Sequence, residues 1–507
     1  MTSKWGETVT QRRRALTRRA LRCLTPAGVA GAAVLLGIAL KGMSLRLGDP
    51  DLWWHLKTGQ IIASRHAIPP VDLFSFTRAG DPWVVQEWGS EVLMHGINAV
   101  FGLRGIVAWR GIMLVLIYAL VARLILRETG RTLGGWALVA LAAFAGSTSW
   151  TERPNLFSFL LFVVVLTLAR ARNRQLWWIV PICALWANLH GMVLLGLGLV
   201  TLLALAETGK AIVRFPGSDA RWAARLGLVA GASTIASFVN PYGPGLHVHA
   251  LRLVRTVSPV VTEWASPDFH DAGAALFLAL LLISVASLAL SPKPADPTDV
   301  ALMTAFTTLG LMAVRNLPVA SIVLGVVAAR HVSGALTHVF AGARQKARAA
   351  SEPAPTLAAA SLVLVAAVFG TLIFRSFPWR DPVAPTYPVA ALDTMAGPDV
   401  RLFTRDAWAG FALYRRWPDV RVDVDTRVDF FGLTVVNRHR RAIAGLRGWE
   451  WTLRDLCVTH VLIADTDGLA GEIAGDRSWT LANDERLGDG HRALLYVPAR
   501  TPTHCPA

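Results

Sequence analysis

GDPDLWWHLKTG, residues 48 to 59, follows closely on an apolar run from Ala27 to Leu40, which sets two carboxylates, Asp49 and Asp51, beside two tryptophans at a membrane surface. Ionisable groups held at that depth are costly and usually have a job. Ahead of the run stand Arg12, Arg13, Arg14, Arg18, Arg19 and Arg22, and no small-x-small cleavage pattern follows it. The segment therefore reads as an uncleaved signal anchor with its basic end in the cytoplasm, which puts the quoted stretch on the opposite face.

Outward from that stretch, a chain of 507 residues that is 53% hydrophobic and 17% charged is too apolar for a soluble globule of its size. A bilayer core asks for roughly 17 to 25 apolar residues per helix. Eleven runs meet or approach this, near residues 26–45, 105–125, 133–150, 154–170, 176–189, 191–207, 225–240, 272–290, 299–313, 316–330 and 356–374. They predict an α-helical polytopic membrane protein. The fifth and sixth meet at Asn188-Leu189-His190-Gly191, as a tight hairpin or one broken helix.

The net charge of +16 sits in short clusters between the runs: Arg127 and Arg131; Arg170, Arg172 and Arg174; Lys210, Arg214, Arg221 and Arg225; Arg344, Lys346 and Arg348. Alternating sides from a cytoplasmic N-terminus puts all of them inside, so the charge reports orientation and not a nucleic-acid partner. The same alternation gathers GDPDLWWHL, SWTERPN (149–155), NLHG (188–191), NPYG (240–243), TEW (262–264) and RNLP (315–318) on the outer side. Trp53, Trp54, Trp83, Trp88, Trp150, Trp186 and Trp264 map there too, where an amphipathic ring is comfortable.

The predicted organisation is a basic tail (1–25), a transmembrane domain (26–375) with a long first outer loop (46–104), and a soluble extracytoplasmic α/β domain (380–507). The loop should carry a short helix at Glu91 to Phe101. Strands are expected at Val400–Thr404, Val420–Val424, Thr459–Ala464 and Ala493–Val497, between helical stretches such as Ala407–Trp417 and Trp449–Leu456. Cys457 and Cys505 lie in this outer domain, and spacing alone does not decide whether they pair.

With these features in view, the chain resembles the GT-C superfamily of integral-membrane glycosyltransferases, which join many spans to an acidic first outer loop and an extracytoplasmic C-terminal domain. Within that class it is similar to a group of bacterial membrane proteins that share a D-x-D-x-W-W-H-L-x-x-G opening, a W-x-x-E loop motif and an R-P-N helix start. They also share an N-x-H-G hairpin, an N-P-x-G exit and a C-terminal D-x-R-x-D-x-x-G stretch. The matching residues here are Asp49, Asp51, His55 and Gly59; Glu87; Arg153-Pro154-Asn155; Asn188 and His190; Asn240-Pro241; and Asp425, Arg427, Asp429 and Gly432. Thr426 and Ala409-Gly410-Phe411 depart from the group's pattern.

The resemblance implies sugar transfer from a polyprenyl-phosphate donor at the outer face of a bacterial inner membrane. Such a donor needs no nucleotide-binding fold, and no P-loop or dinucleotide fingerprint occurs. An inverting transfer needs a carboxylate base and cationic or metal help for the departing phosphate. Asp51, with Asp49 as the alternative, is the expected base; Arg153, Arg315 and His190 would stabilise the phosphate; Asp49 and Glu87 would hold any divalent ion. His55, Glu152, Asn188, Asn240, Asp425, Arg427 and Asp429 complete the expected substrate-binding set. Each has a structural alternative: Asp49 and Asp51 as helix caps, Glu152 at a helix start, Asn188 and His190 closing a helix break, Glu263 and Trp264 as interface anchors. Asp423, Asp425, Arg427 and Asp429 alternate with period two, so a continued strand would line them on one face, for a ligand or for an Asp–Arg docking network. A lipid-carrier translocase or a non-catalytic envelope scaffold are the rival functions; the first calls for ionisable residues deep in several spans or for inverted repeats.

Overall fold

A computed structural model describes residues 25–257, 261–339, 355–395 and 397–500. The arginines of the N-terminal tail, the cluster Arg344, Lys346 and Arg348, and Cys505, with its pairing to Cys457, lie outside the described residues. Each of the eleven apolar runs falls on a helix. Among the described residues six segments are long and apolar enough to cross a membrane: Pro26–Ser44, Trp88–Thr129, Val193–Ile212, Ala272–Leu290, Val314–Val339 and Ala359–Ser376. Leu133–Ala145 and Asn155–Arg170 are apolar but shorter. The protein is a multi-pass membrane protein.

The expected loop helix and the second span are one element, Trp88–Thr129, broken only at Gly102 (φ 65°, ψ −172°), a conformation that side-chain-bearing residues avoid. The fifth and sixth runs are two helices, Ile179–Leu189 and Val193–Ile212, separated at an extended His190. Five of the tryptophans assigned to the interface are instead buried: Trp53, Trp54, Trp83, Trp150 and Trp186. They form the joint between elements, because large rings bury more area than any other side chain.

The C-terminal region folds around a five-stranded mixed sheet of β1 Val400–Thr404, β2 Val420–Val422, β3 His460–Ala464, β4 Trp479–Arg486 and β5 Arg492–Pro498, in the order β2-β1-β3-β5-β4. β1 pairs in parallel with β2 and β3, while β5 runs antiparallel to β3 and β4. β4, reading WTLANDER, is an edge strand exposed along most of its length, so it lacks the short apolar run that reveals β1, β3 and β5. β2 stops at Val422, so the period-two face does not continue: Asp425 and Arg427 are in the following loop, and Asp429 is in the first turn of the Val428–Ile443 helix.

The sheet is tied to the first loop by backbone pairing. Phe76 N donates to Val422 O (3.0 Å) and Val422 N to Phe74 O (3.1 Å), extending the sheet past β2. Leu47 and residues 382–384 exchange two further bonds at 2.7 and 2.9 Å. Between them the Pro50–Arg65 helix is wedged against the Asp406–Arg416 helix, where Trp53 meets Tyr387, Phe411 and Tyr414 with ring centroids 4.8–5.4 Å apart. A Cβ on Gly410 would lie 2.6 Å from Pro50 O, so only glycine permits that approach.

Candidate functional site

The Pro50–Arg65 helix begins as its sequence dictates. Asp49 is the N-cap, its Oδ1 accepting from Asp51 N at 3.0 Å, and Pro50 occupies the first helical position, where a missing N–H costs nothing. Chain entry is fixed by Glu152, whose Oε1 accepts from Gly48 N (2.8 Å) and Asp49 N (3.1 Å). The other oxygen of Glu152 is held by Arg110, whose Nε donates to Gly42 O at 2.7 Å and whose Nη2 donates to Leu45 O. Both side chains of this pair are almost fully buried. Glu152 thus supports the loop backbone from beneath.

Arg153 is the hub of the site. Its Nε donates to Asp49 Oδ2 at 2.5 Å, and its Nη1 lies 3.1 Å from Asp51 Oδ2 and 3.2 Å from Glu263 Oε2. Glu263 also pairs with Arg315 at 3.4 Å, and the Arg315 guanidinium is 4.3 Å from the Trp264 ring centre. Three carboxylates and two guanidinium groups therefore meet, drawn from GDPD, ERPN, TEW and RNLP. Burial pushes the Asp49 carboxyl up to about 6, against the opposing pull of Arg153. Burial would lower the Arg153 pKa, but Asp51, Asp49 and Glu263 together drive it above its ordinary value. Asp49 is sealed at 3% side-chain exposure, whereas Asp51 keeps 19% and Glu263 34%, so of the two aspartates Asp51 is the one open to a ligand.

A second group lies one turn along the helix. His55 Nδ1 is 2.9 Å from Glu91 Oε1, and His55 Nε2 is 3.2 Å from Glu87 Oε2, whose other oxygen is 2.9 Å from His190 Nε2. His190 Nδ1 accepts from Met192 N at 3.1 Å, so its ring proton sits on Nε2 and is given to Glu87. Burial would raise the Glu87 pKa, but His190 and His55 hold it down to about 2. For His55, burial is outweighed by Glu87 and Glu91 and the imidazole pKa is raised. Asp49 and Glu87, the expected metal pair, stand in different clusters: Asp49 faces Arg153, and Glu87 faces the two histidines. The ligand atoms of His55, Glu87 and Glu91 do lie within 4.8 Å of one another, and Glu91 Oε2 is buried without a hydrogen-bond partner. These are the residues that could hold a divalent cation, if His55 gave up a ring proton.

The remaining expected residues have structural partners. Asn188 Nδ2 donates to Ala184 O and Val239 O, and Asn240 Nδ2 to Ser237 O and Gly243 O, so both amides close backbone breaks. Arg427 is buried 2.6 Å from Asp425 and 2.8 Å from Asp72, with its guanidinium 4.4 Å from the Trp83 ring centre. It clamps the sheet domain to the first loop, in line with the docking alternative. Asp429 stands apart from this pair, 3.6 Å from His249. Sequence reasoning missed Arg110, Asp72 and the role of Glu91. Arg110 had a signal, an arginine near the start of the apolar run 105–125; Asp72 had none.

No protein-family model matches the chain, and no curated protein is similar to it in sequence. Its fold is nonetheless found among solved structures. Among solved structures it is similar to the archaeal oligosaccharyltransferase AglB from Archaeoglobus fulgidus in complex with an inhibitory peptide and a dolichol-phosphate, at TM-score 0.54 and 12% identity. It is also similar to the Archaeoglobus fulgidus oligosaccharyltransferase in the apo form, at TM-score 0.57 and 12% identity. Each likeness covers 85% of this chain and 69% of the other.

Proposed function

We propose that the protein is a membrane glycosyltransferase that moves a sugar from a polyprenyl-phosphate donor to an acceptor hydroxyl on the extracytoplasmic face of a bacterial inner membrane. The observation that carries this reading is the convergence of Asp51 and Asp49 on Arg153, beside Arg315, at the junction of the helices and the sheet domain. A GT-C fold supports it, as does the dolichol-phosphate bound to the similar archaeal structure.

In this mechanism the acceptor oxygen attacks the anomeric carbon and its proton passes to the Asp51 carboxylate. The bond from the anomeric carbon to the phosphate oxygen breaks, and polyprenyl phosphate leaves with the electron pair. Arg153 and Arg315 face the phosphate as charge accumulates on it, which lowers the barrier because the charges are already in place. Asp49 is a positioning residue: as N-cap and Arg153 ligand it fixes both the base and the cation. Arg153, held among Asp49, Asp51 and Glu263, is cationic help built into the chain.

The test is transfer from a panel of polyprenyl-phosphate sugars by the purified protein in lipid. Asp51→Asn should lower turnover at least a hundredfold, in keeping with the usual worth of a general base. Failure to turn over any donor, or full activity in both Asp51→Asn and Asp49→Asn, would sink the mechanism.

A further inference from the structure

Away from the carboxylate–arginine cluster, one buried cation has no acid to meet it. Lys57 lies six residues beyond Asp51, about 9 Å along the same helix and on another face of it. It is 8% exposed, and its ammonium donates to Gln60 Oε1 at 3.0 Å. Among the described residues no carboxylate pairs with it. Such burial is unfavourable, and the lysine pKa is held below its ordinary value by it. The Tyr414 and Trp417 rings, 5.8 and 6.0 Å from the ammonium, offset only part of that penalty.

Lys57 opens on a cavity of about 380 Å³ between the Pro50–Arg65, Trp88–Thr129 and Asp406–Arg416 helices, within the size range of small-ligand sites. Arg415 and Arg416 also line it. The carboxylate in its wall, Asp393, is already taken by Arg415 at 2.6 Å, so the cavity keeps a positive surplus. Asn98 donates its amide to the Tyr414 hydroxyl at 3.2 Å, and the side-chain NH₂ of Gln60 is left to donate elsewhere. Cations, an amide donor and an aromatic ring together form the donor set for an oxyanion carried on a hydroxylated ring.

We propose that this cavity binds an acidic carbohydrate, its carboxylate or phosphate paired with Lys57 and Arg416 and its ring set against Tyr414. The site is separate from the Asp51 cluster, and its occupancy does not depend on the transfer proposed there.

Calorimetric titration of the full chain in nanodiscs with glucuronate, glucose 6-phosphate and glucose tests this. At least one acidic sugar should bind tenfold or more tightly than glucose. Lys57→Gln should weaken that binding at least tenfold without lowering the melting temperature, since it removes an unpaired buried charge; Arg416→Gln should weaken it severalfold. Binding of glucuronate alone supports a carboxylate sugar, and of glucose 6-phosphate alone a phosphate sugar. Binding of neither, equal affinity for glucose, or affinity unchanged in both variants overturns the proposal.

Discussion

Arg153→Gln is the most informative single change, because one guanidinium holds three carboxylates. The Asp49 contact is buried and charge-assisted, worth about 1.5–3 kcal/mol. The contacts to Asp51 and Glu263 are partly exposed and worth ~0–1 kcal/mol each after solvent screening. Removing the arginine should therefore cost about 1.5–5 kcal/mol, with a pH signature. The Asp49 pKa already stands at about 6 through burial, and loss of Arg153, its main opposing charge, drives it higher. A carboxyl whose folded pKa exceeds its unfolded value destabilises the fold when ionised, and stability returns as pH falls through the folded pKa. Melting of the purified protein in nanodiscs should thus show the full deficit at pH 8 and under half of it at pH 5. In a double-mutant cycle, Asp49→Asn should remove most of the difference. An equal deficit at both pH values, or additive effects of the two substitutions, would refute the reasoning.

Four further outcomes follow from the same contacts. Arg153→Ala frees oxygens of Asp49, Asp51 and Glu263 and should strengthen Mn²⁺ binding at this position relative to the wild type, as read by spin-resonance titration. Arg427→Met leaves Asp425 and Asp72 buried without their cation and should cost about 3–5 kcal/mol, read as early exposure of β2 amides to hydrogen exchange. Gly59→Ala would bring a Cβ to 2.1 Å from Glu91 O; backbone must move, at a cost of roughly 1–3 kcal/mol in thermal stability. The His439 pKa is raised because Asp423, 2.6 Å away, outweighs burial. Its stabilising contribution is complete below the unfolded histidine pKa and is lost as pH rises through the folded value; His439→Gln should abolish that part of the pH profile of melting.

The similarity to the archaeal oligosaccharyltransferase rests on shape at 12% identity, so the chemistry has to be argued from side chains. Two arginines around the acidic loop make this site different in kind from a bare carboxylate cluster.

The residue order by itself determined the helices and the strand candidates, because both follow from local apolar patterning: every apolar run falls on a helix, and β1, β3 and β5 fall where short apolar runs put them. It also determined that Asp49 would cap a helix behind Pro50, since capping involves neighbours two residues apart. Only the tertiary structure decided that Arg153 would face Asp49, that Glu87 would turn to His190, and that Arg427 would clamp Asp72 355 residues away in sequence. Those pairings join segments far apart in the chain, and electrostatic contact depends on where packing leaves the charges. The tryptophans of GDPDLWWHLKTG make the same point: their composition suggested a membrane belt, and their packing made them the joint that holds the sheet domain over Asp51.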